Sequence, residues 1–554
     1  MKSKKHILIL FLVSLFSIIP LLSAKIYYLD DIYFHLLRIE SAKEAILNGI
    51  FPLKISPLYL DGMGYGVGFF YSYTFILPAA LFNILGLSII TSYKLYLFLC
   101  TFLSGLSMYY CINKIQKSEK LSLITSILYL LCSYKIIDTI YLGAIGEVLS
   151  FIFIPFVVFG IFNIIYNKKK EYRMLTIGLA GVYLSHNLTS AIVMLFILLI
   201  CLLNVKLFIK SPIFLWSILK GVLLSLLLTA YFWVPMLEQL VSSEFKLNTS
   251  VESMAARGIE LSKIFIQNST NEYFEAPYFL GLPLLVIPII GIILKVKFDK
   301  PIKHFMLLGY FFFFLTLKSP FLLFIEKNIP GSNQLQFPWR FNIIASILLS
   351  YVSGYVIYFL INKFNNAEAR KSILVLGLVS LLVFTGYTVF KYPYFRKTVN
   401  FDSNFYQLKD NTNAIGYGEY LPKNTNKDVL LNKNKEIEFS KPTNINSTAR
   451  NNNSYTFIYN VISNETSTLT LPLVYYKGYQ YKIDGAYGKN QPWKNVSLGD
   501  NGRVSVSTKN IYSGRITVKY RNTPLIYISY VISFITLVAS VLFQFKIHKK
   551  FSRH

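Results

Sequence analysis

Cysteine is scarce in this chain: four in 554 residues, with none after Cys201. A disulfide framework is therefore excluded from the polar C-terminal part. Cys100, Cys111, Cys132 and Cys201 all sit in or at the ends of apolar runs and read as small packing residues. No Cys/His spacing suits a metal; the adjacent acids Asp30 and Asp31 leave a divalent ion open, without a ligand spacing that supports it. Acids are scarce too, 27 Asp and Glu against 55 Lys and Arg. No strand, glycine loop and helix unit carries Lys-Ser/Thr after its glycines, so a nucleotide-binding motif is missing. Internal repeats and long low-complexity tracts are also missing.

Apolar residues make up 54% of the chain and aromatics 16%, and the mean hydropathy is +0.48. Soluble domains are less apolar and lack repeated runs of about 20 apolar residues. The chain reads as a polytopic α-helical membrane protein. Much of its net charge of +28 is the Lys/Arg excess of cytoplasmic loops, so membrane lipids are partners and nucleic acid is not.

Apolar runs lie near 7–24, 68–90, 92–113, 121–138, 147–166, 173–187, 189–205, 213–235, 277–296, 304–320, 341–362, 371–390 and 525–543. The basic stretches Asn113–Lys120, Asn167–Arg173, Lys206–Lys210, Lys295–Lys303, Asn362–Lys371 and Lys546–His554 set an orientation. Both termini fall in the cytoplasm. The run 7–24 is read as a retained helix, although cleavage after Leu22-Ser23-Ala24 would give the same topology. An odd number of crossings is needed between Asp31 outside and Lys114 inside. One run must therefore not span, and 68–90, with Pro78 and Gly86, is predicted to lie as a juxtamembrane helix at the outer interface. That leaves about twelve transmembrane helices.

Three domains follow: a transmembrane domain over 1–390 with a first outer loop at 25–67, an extracytoplasmic mostly β domain over 391–523, and a last helix with a basic tail over 524–554. The pattern predicts strands at Ser467–Val474, Gln480–Ile483, Val504–Thr508 and Arg515–Tyr520, separated by turns such as Asp500-Asn501-Gly502, and so a small β-sandwich. The signal over 398–455 is weak. Residues 392–523 hold 18 basic and 9 acidic side chains, about +9 (18 − 9), a charge that attracts polyanions.

The stretch Asp30–Arg38 carries the strongest chemical signal. Asp30 reads as the N-cap of a short helix that stops at Gly49. Asp31, His35 and Arg38 at i, i+4 and i+7 share one face of it. A carboxylate, an imidazole and a guanidinium at the edge of a bilayer suit chemistry on a phosphate-bearing lipid. Asp31 is placed to act as a general base, with His35 or Arg38 orienting it or contacting phosphate. A solvated helix face is the plainer reading of the same spacing.

The pattern Asp31-x-x-x-His35-x-x-Arg38-Ile39, followed by Gly49-x-Phe51-Pro52, Gly64-Tyr65-Gly66 and Phe69-Phe70-Tyr71, resembles bacterial YfhO-type membrane proteins of the GT-C glycosyltransferase superfamily. Gly143-Ala-Ile-Gly-Glu147, Leu184-Ser-His186-Asn187, Phe337-Pro-Trp-Arg340-Phe341, Tyr476-Lys-Gly478-Tyr479 and Asp484-Gly485 agree with it. Tyr479 stands where Trp is frequent, and 398–455 matches poorly.

The resemblance implies an inverting, GT-C-like enzyme that takes a sugar from a polyprenyl-phosphate donor at the outer face. The acceptor would be a cell-envelope polymer such as a teichoic acid. It implies an acidic catalyst in the first outer loop, hence Asp31, with Asp30 second. Arg340 at an outer helix end suits a phosphate clamp, or an interfacial anchor beside Trp339. Glu147 and His186 are substrate-contact candidates, against a helix-start carboxylate and a buried, bonded histidine. Glu238, Glu244 and Arg257 are weaker candidates. The rival function is a non-enzymatic lipid or polymer transporter, which needs polar groups deep within the spans.

Overall fold

The computed structural model describes residues 2–23, 26–27, 31–248, 253–261, 279–363, scattered positions from 366 to 386, 398–399, 415–432, 437–440, 443–451, 454–461, 467–485, 492–508 and 513–551. Its contacts divide it into two units. One comprises Met1–His35, Leu81–Leu226 and Ser250–Ser403; the other comprises Leu36–Ala80, Leu227–Thr249 and Asn404–His554.

Among the described residues, four helices are long and apolar enough to cross a membrane: Ile89–Gln116, Ile145–Ile165, Pro338–Lys363 and Pro524–Leu542. Two further pairs pass together but are bent, Glu119–Leu130 with Ser133–Leu142 by 50° and Ile213–Leu228 with Ala230–Ser242 by 76°. The count is thus four to six, not the twelve expected from apolar runs. Two physical reasons account for the shortfall. Several runs fold into helices of 12 to 16 residues, such as Arg173–Ser185, Asn187–Leu202 and Leu282–Ile293. At 1.5 Å per residue these are roughly 18–24 Å long, short of a bilayer core. Half of the run 371–390 lies outside the described residues.

The first unit is built by close helix packing. A Cβ on Gly160 would come 2.5 Å from the Leu175 backbone nitrogen, and one on Gly178 2.6 Å from that of Val157. Those glycines let helices 145–165 and 173–185 approach backbone to backbone, as small residues do between membrane helices. Helix starts follow their caps. Ser88 accepts a hydrogen bond from the Thr91 amide at 3.1 Å, and Ser118 one from Leu121 at 3.3 Å. Strands β1 (Ile26–Tyr27) and β2 (Thr398–Val399) pair antiparallel in this unit.

The second unit holds two antiparallel sheets. One orders its strands β3 (Glu438–Phe439), β6 (Ser467–Val474), β10 (Arg503–Thr508) and β9 (Ser497–Leu498). The other orders β4 (Thr443–Asn451), β5 (Ser454–Val461), β11 (Ser513–Tyr520), β7 (Tyr479–Gly485) and β8 (Lys494–Asn495). The four strands read from alternation are all present. The hairpin of β4 and β5 was missed: β4 is almost wholly polar, although Tyr455, Phe457, Tyr459 and Val461 alternate along β5.

The run 68–90 is not one juxtamembrane helix. Val67–Phe70 forms a single turn, Tyr71 is extended, and a second helix covers Leu77–Ile84 before Ile89 opens the next. Gly68 explains the first break: a Cβ there would stand 2.0 Å from the Leu53 carbonyl oxygen, so the chain presses against its neighbour at that point. The helix after Asp31 ends at Leu47, and Gly49 takes the left-handed φ of +66° expected of a stop residue.

Candidate functional site

The sharpest local feature is the passage from residue 133 to residue 147. A short helix, Ser133–Ile137, widens into a π turn over Asp138–Leu142. Gly143 closes it with φ +63°, and the next helix opens at Ile145. Such widened turns inside helices recur at functional sites. The turn and the first turn of the next helix each carry one carboxylate, Asp138 and Glu147, and both are buried.

Glu147 is paired twice. Tyr134 Oη donates to its Oε2 at 2.7 Å, and Arg340 Nε donates to its Oε1 at 2.8 Å. The Glu147 side chain is 3% exposed and that of Arg340 14%. Arg340 comes from the 3₁₀ turn Pro338–Phe341 that opens a span. Its Nη1 donates to the Leu335 carbonyl at 2.8 Å and to Gln336 Oε1 at 3.2 Å. Among the described residues Nη2 makes no hydrogen bond, so the guanidinium is fixed on one edge and open on the other. Its carbon lies 5.1 Å from the centre of the Phe337 ring. Arg257 lies over the same ring at 4.6 Å, which brings a second guanidinium to this corner.

Asp138 was not singled out in the sequence. It is 0% exposed, and among the described residues neither carboxylate oxygen has a hydrogen-bond partner. Tyr93 is likewise buried, and its hydroxyl has no hydrogen-bond partner among the described residues. Tyr134, Glu147 and Arg340 form one hydrogen-bonded cluster in the first unit.

The remaining sequence candidates fall as follows. Asp30 lies outside the described residues. Asp31 is exposed and sits just ahead of the helix, its carbonyl accepting the His35 amide at 3.0 Å. His35 is buried, with its ring edge-on to Phe34 at 5.2 Å. Arg38, in the second unit, is also buried. Its Nη2 donates to the Ser72 carbonyl at 2.7 Å, and its guanidinium lies 3.9 Å from the Tyr71 ring centre. The shared helix face expected of the three does not form as read: Asp31 is exposed just ahead of the helix, whereas His35 and Arg38 are buried within it. His186 ends one helix and precedes the next, with its Nδ1 2.9 Å from Thr189 Oγ1. Glu238 accepts a hydrogen bond from Thr523 at 2.7 Å in the second unit.

A second buried ion missed in the sequence is Lys135, one turn before Asp138. It turns to Ser104 Oγ and the rings of Tyr129 and Phe151, 4.8 and 5.5 Å away, not to the acids. One signal was available for both residues: two ionisable side chains inside the apolar run 121–138. Among the described residues no group of three or more His, Cys, Asp or Glu side chains could hold a metal ion.

The helices and this buried acid and arginine centre define a polytopic membrane protein with a polar site enclosed among its helices. The chain belongs to the 6-pyruvoyl-tetrahydropterin synthase related domain family of membrane proteins, whose model matches residues 67–392, more than half of its length. A Lactococcus lactis protein described as uncharacterized is 25% identical over 256 residues, 44% of this chain and 41% of that one. Two cryo-EM structures of the mycobacterial arabinofuranosyltransferase AftD, one of them a mutant, align at TM-scores of 0.46 and 0.43. Each is 11% identical. They cover 70% and 69% of this chain and 26% and 28% of theirs. At those scores neither likeness bears on what this chain does. The chain spans about two fifths of its Lactococcus relative and about a quarter of the AftD chains.

Proposed function

We propose that this protein is a GT-C-type glycosyltransferase of the YfhO kind, moving a sugar from a polyprenyl-phosphate donor to an extracytoplasmic glycopolymer. Asp31 takes the proton from an acceptor hydroxyl. That oxygen attacks the anomeric carbon from the face opposite the phosphate. The bond from the anomeric carbon to the phosphate oxygen breaks, and polyprenyl phosphate leaves with the electron pair. Arg340 meets the departing negative charge with its open Nη2 edge, since a guanidinium held in place stabilises charge as it develops. Glu147 and Tyr134 hold Arg340 in that pose.

One observation carries the reading. The Arg340 guanidinium is held by Glu147 and the Leu335 carbonyl, each at 2.8 Å, with Nη2 making no hydrogen bond among the described residues, and it lies in the same unit as the exposed Asp31. The distribution of His35 and Arg38 does not support a direct role for either, because both are packed away by aromatic rings. The test compares the sugar content of envelope polymers from cells carrying wild type or Asp31→Asn. Loss of the sugar at normal protein level is the expected result, and unchanged glycosylation removes Asp31 from the reaction.

A transporter of lipid or polymer is the second reading, and Lys135 favours it. A buried lysine on a helix pair bent by 50° is the kind of broken, ion-bearing span that transporters place at mid-membrane. Polymer glycosylation lost in Lys135→Met but intact in Asp31→Asn would support that reading over the transferase.

A further inference from the structure

Two guanidiniums share the Phe337 ring. The Arg257 carbon lies 4.6 Å and the Arg340 carbon 5.1 Å from its centre, so the two cations stand within about 10 Å of each other. Arg340 already has its charge matched by Glu147, bonded to it at 2.8 Å. Arg257 comes from a loop that is pinned on both sides. Ahead of it, Glu326 accepts from the Ser253 hydroxyl at 2.8 Å and from the Ala255 amide at 2.6 Å. Behind it, the Ile259 amide donates to the Thr316 carbonyl and the Lys318 amide to the Ile259 carbonyl, both at 2.9 Å. Leu335 joins the two arginines' supports: its side chain packs on the small core of Met254, Ala255 and Leu322, and its carbonyl takes Arg340 Nη1 at 2.8 Å. Arg257, Phe337 and Arg340 each keep part of their surface exposed, so this corner is open to a ligand as it stands. Like charges held so close repel, and an anion between them removes that cost.

We propose that Arg257 binds the leaving phosphate and supplies the second positive charge that the transfer needs. This rests on the transferase reading and deepens it. The sugar donor is a phosphodiester with one negative charge. When the bond from the anomeric carbon to the phosphate oxygen breaks, the electron pair stays on that oxygen. The phosphate is then a monoester, which carries a second negative charge above about pH 6. Arg340, paired with Glu147, has its charge shared between that carboxylate and the phosphate. Arg257, at the same ring, meets the charge that appears. A contact that strengthens as charge develops lowers the barrier, whereas one equally strong to donor and leaving group only tightens binding. A guanidinium already set in place by its loop needs no rearrangement at that moment.

The test uses the full-length protein in detergent at pH 8, where decaprenyl phosphate carries two charges and its methyl ester one. Wild type is expected to bind decaprenyl phosphate about 10-fold tighter than the methyl ester, the worth of one further charged hydrogen bond. Arg257→Gln brings that ratio close to 1 and binds the methyl ester as wild type does, which also shows that the variant is folded. Arg257→Lys keeps the charge and keeps a ratio well above 1. In the transfer reaction Arg257→Gln lowers kcat about 10-fold at unchanged donor KM, since the contact is made only as the bond breaks. A ratio that survives Arg257→Gln overturns the assignment, as does a raised KM at unchanged kcat. Loss of both lipids in Arg257→Gln and Arg257→Lys alike marks a structural residue and overturns it too. A wild type that binds both lipids equally overturns the role of Arg257 and leaves the transferase reading standing; a wild type that binds neither overturns the transferase reading itself.

Discussion

Arg340 and Glu147, 193 positions apart in sequence, meet through one charged hydrogen bond of 2.8 Å at a site where the carboxylate is almost wholly buried. A pair of this kind is worth little beyond what an apolar pair would give, but breaking it is costly because the remaining charge stays buried. Glu147→Ala is therefore expected to destabilise the protein by about 3–5 kcal/mol. Arg340→Lys is expected to leave more folded protein than Glu147→Ala but little activity, since an ammonium lacks the forked donors that here serve Glu147, Leu335 and Gln336. Thermal unfolding in detergent and a transfer assay check the two separately.

Gly68 makes the tightest approach to backbone among the described glycines of the second unit. Gly68→Ala puts a methyl group 2.0 Å from the Leu53 carbonyl oxygen, a backbone atom that cannot step aside. A loss of about 1–3 kcal/mol or more is expected, read as a lower melting temperature. Gly86→Ala is a control: no atom lies within 4 Å of its Cβ position, so any cost there comes from its φ of +98° alone.

Lys54 gives a pH dependence. Burial pushes its ammonium down to about 7, and among the described residues its Nζ donates only to the Tyr231 carbonyl, at 3.3 Å. In the unfolded chain the amine holds its proton to about 10.4, so between about pH 7 and that value the unfolded state binds more protons. Stability from this group therefore rises with pH across that window, and the full penalty for the buried charge is present below it. Melting temperatures measured from pH 6.5 to 9.5 are expected to rise for wild type relative to Lys54→Met, with the two curves converging at the alkaline end.

Much of the architecture was legible from periodicity. The four β strands were read because apolar and polar residues alternate along them, and Gly49 was read as a stop because a left-handed residue commonly follows a helix. The β4 and β5 hairpin was not: β4, Thr443–Asn451, is polar along nearly its whole length, and the alternation of Tyr455, Phe457, Tyr459 and Val461 in β5 was passed over. The run 68–90 misled because hydropathy sums composition and cannot register a backbone collision at Gly68. The site divides in the same way. Arg340 and Glu147 could be named from local motifs, but their bond to each other depends on helices brought together from distant parts of the chain. Asp138 and Lys135 were hidden by the apolar residues around them, though two ionisable groups in such a run were the clue. Arg38 and His35 were read by spacing as groups that orient the base or contact phosphate, and spacing gave no sign that both side chains would be buried.

The central claim is that Asp31 removes a proton in a transfer whose leaving phosphate is met by Arg340. Its most direct test is single-turnover transfer of labelled sugar from decaprenyl phosphate to purified envelope polymer, comparing wild type with Asp31→Asn at equal donor occupancy. The account predicts a fall of about 10²–10⁴-fold in rate with donor binding unchanged. Equal rates in the two proteins would contradict it.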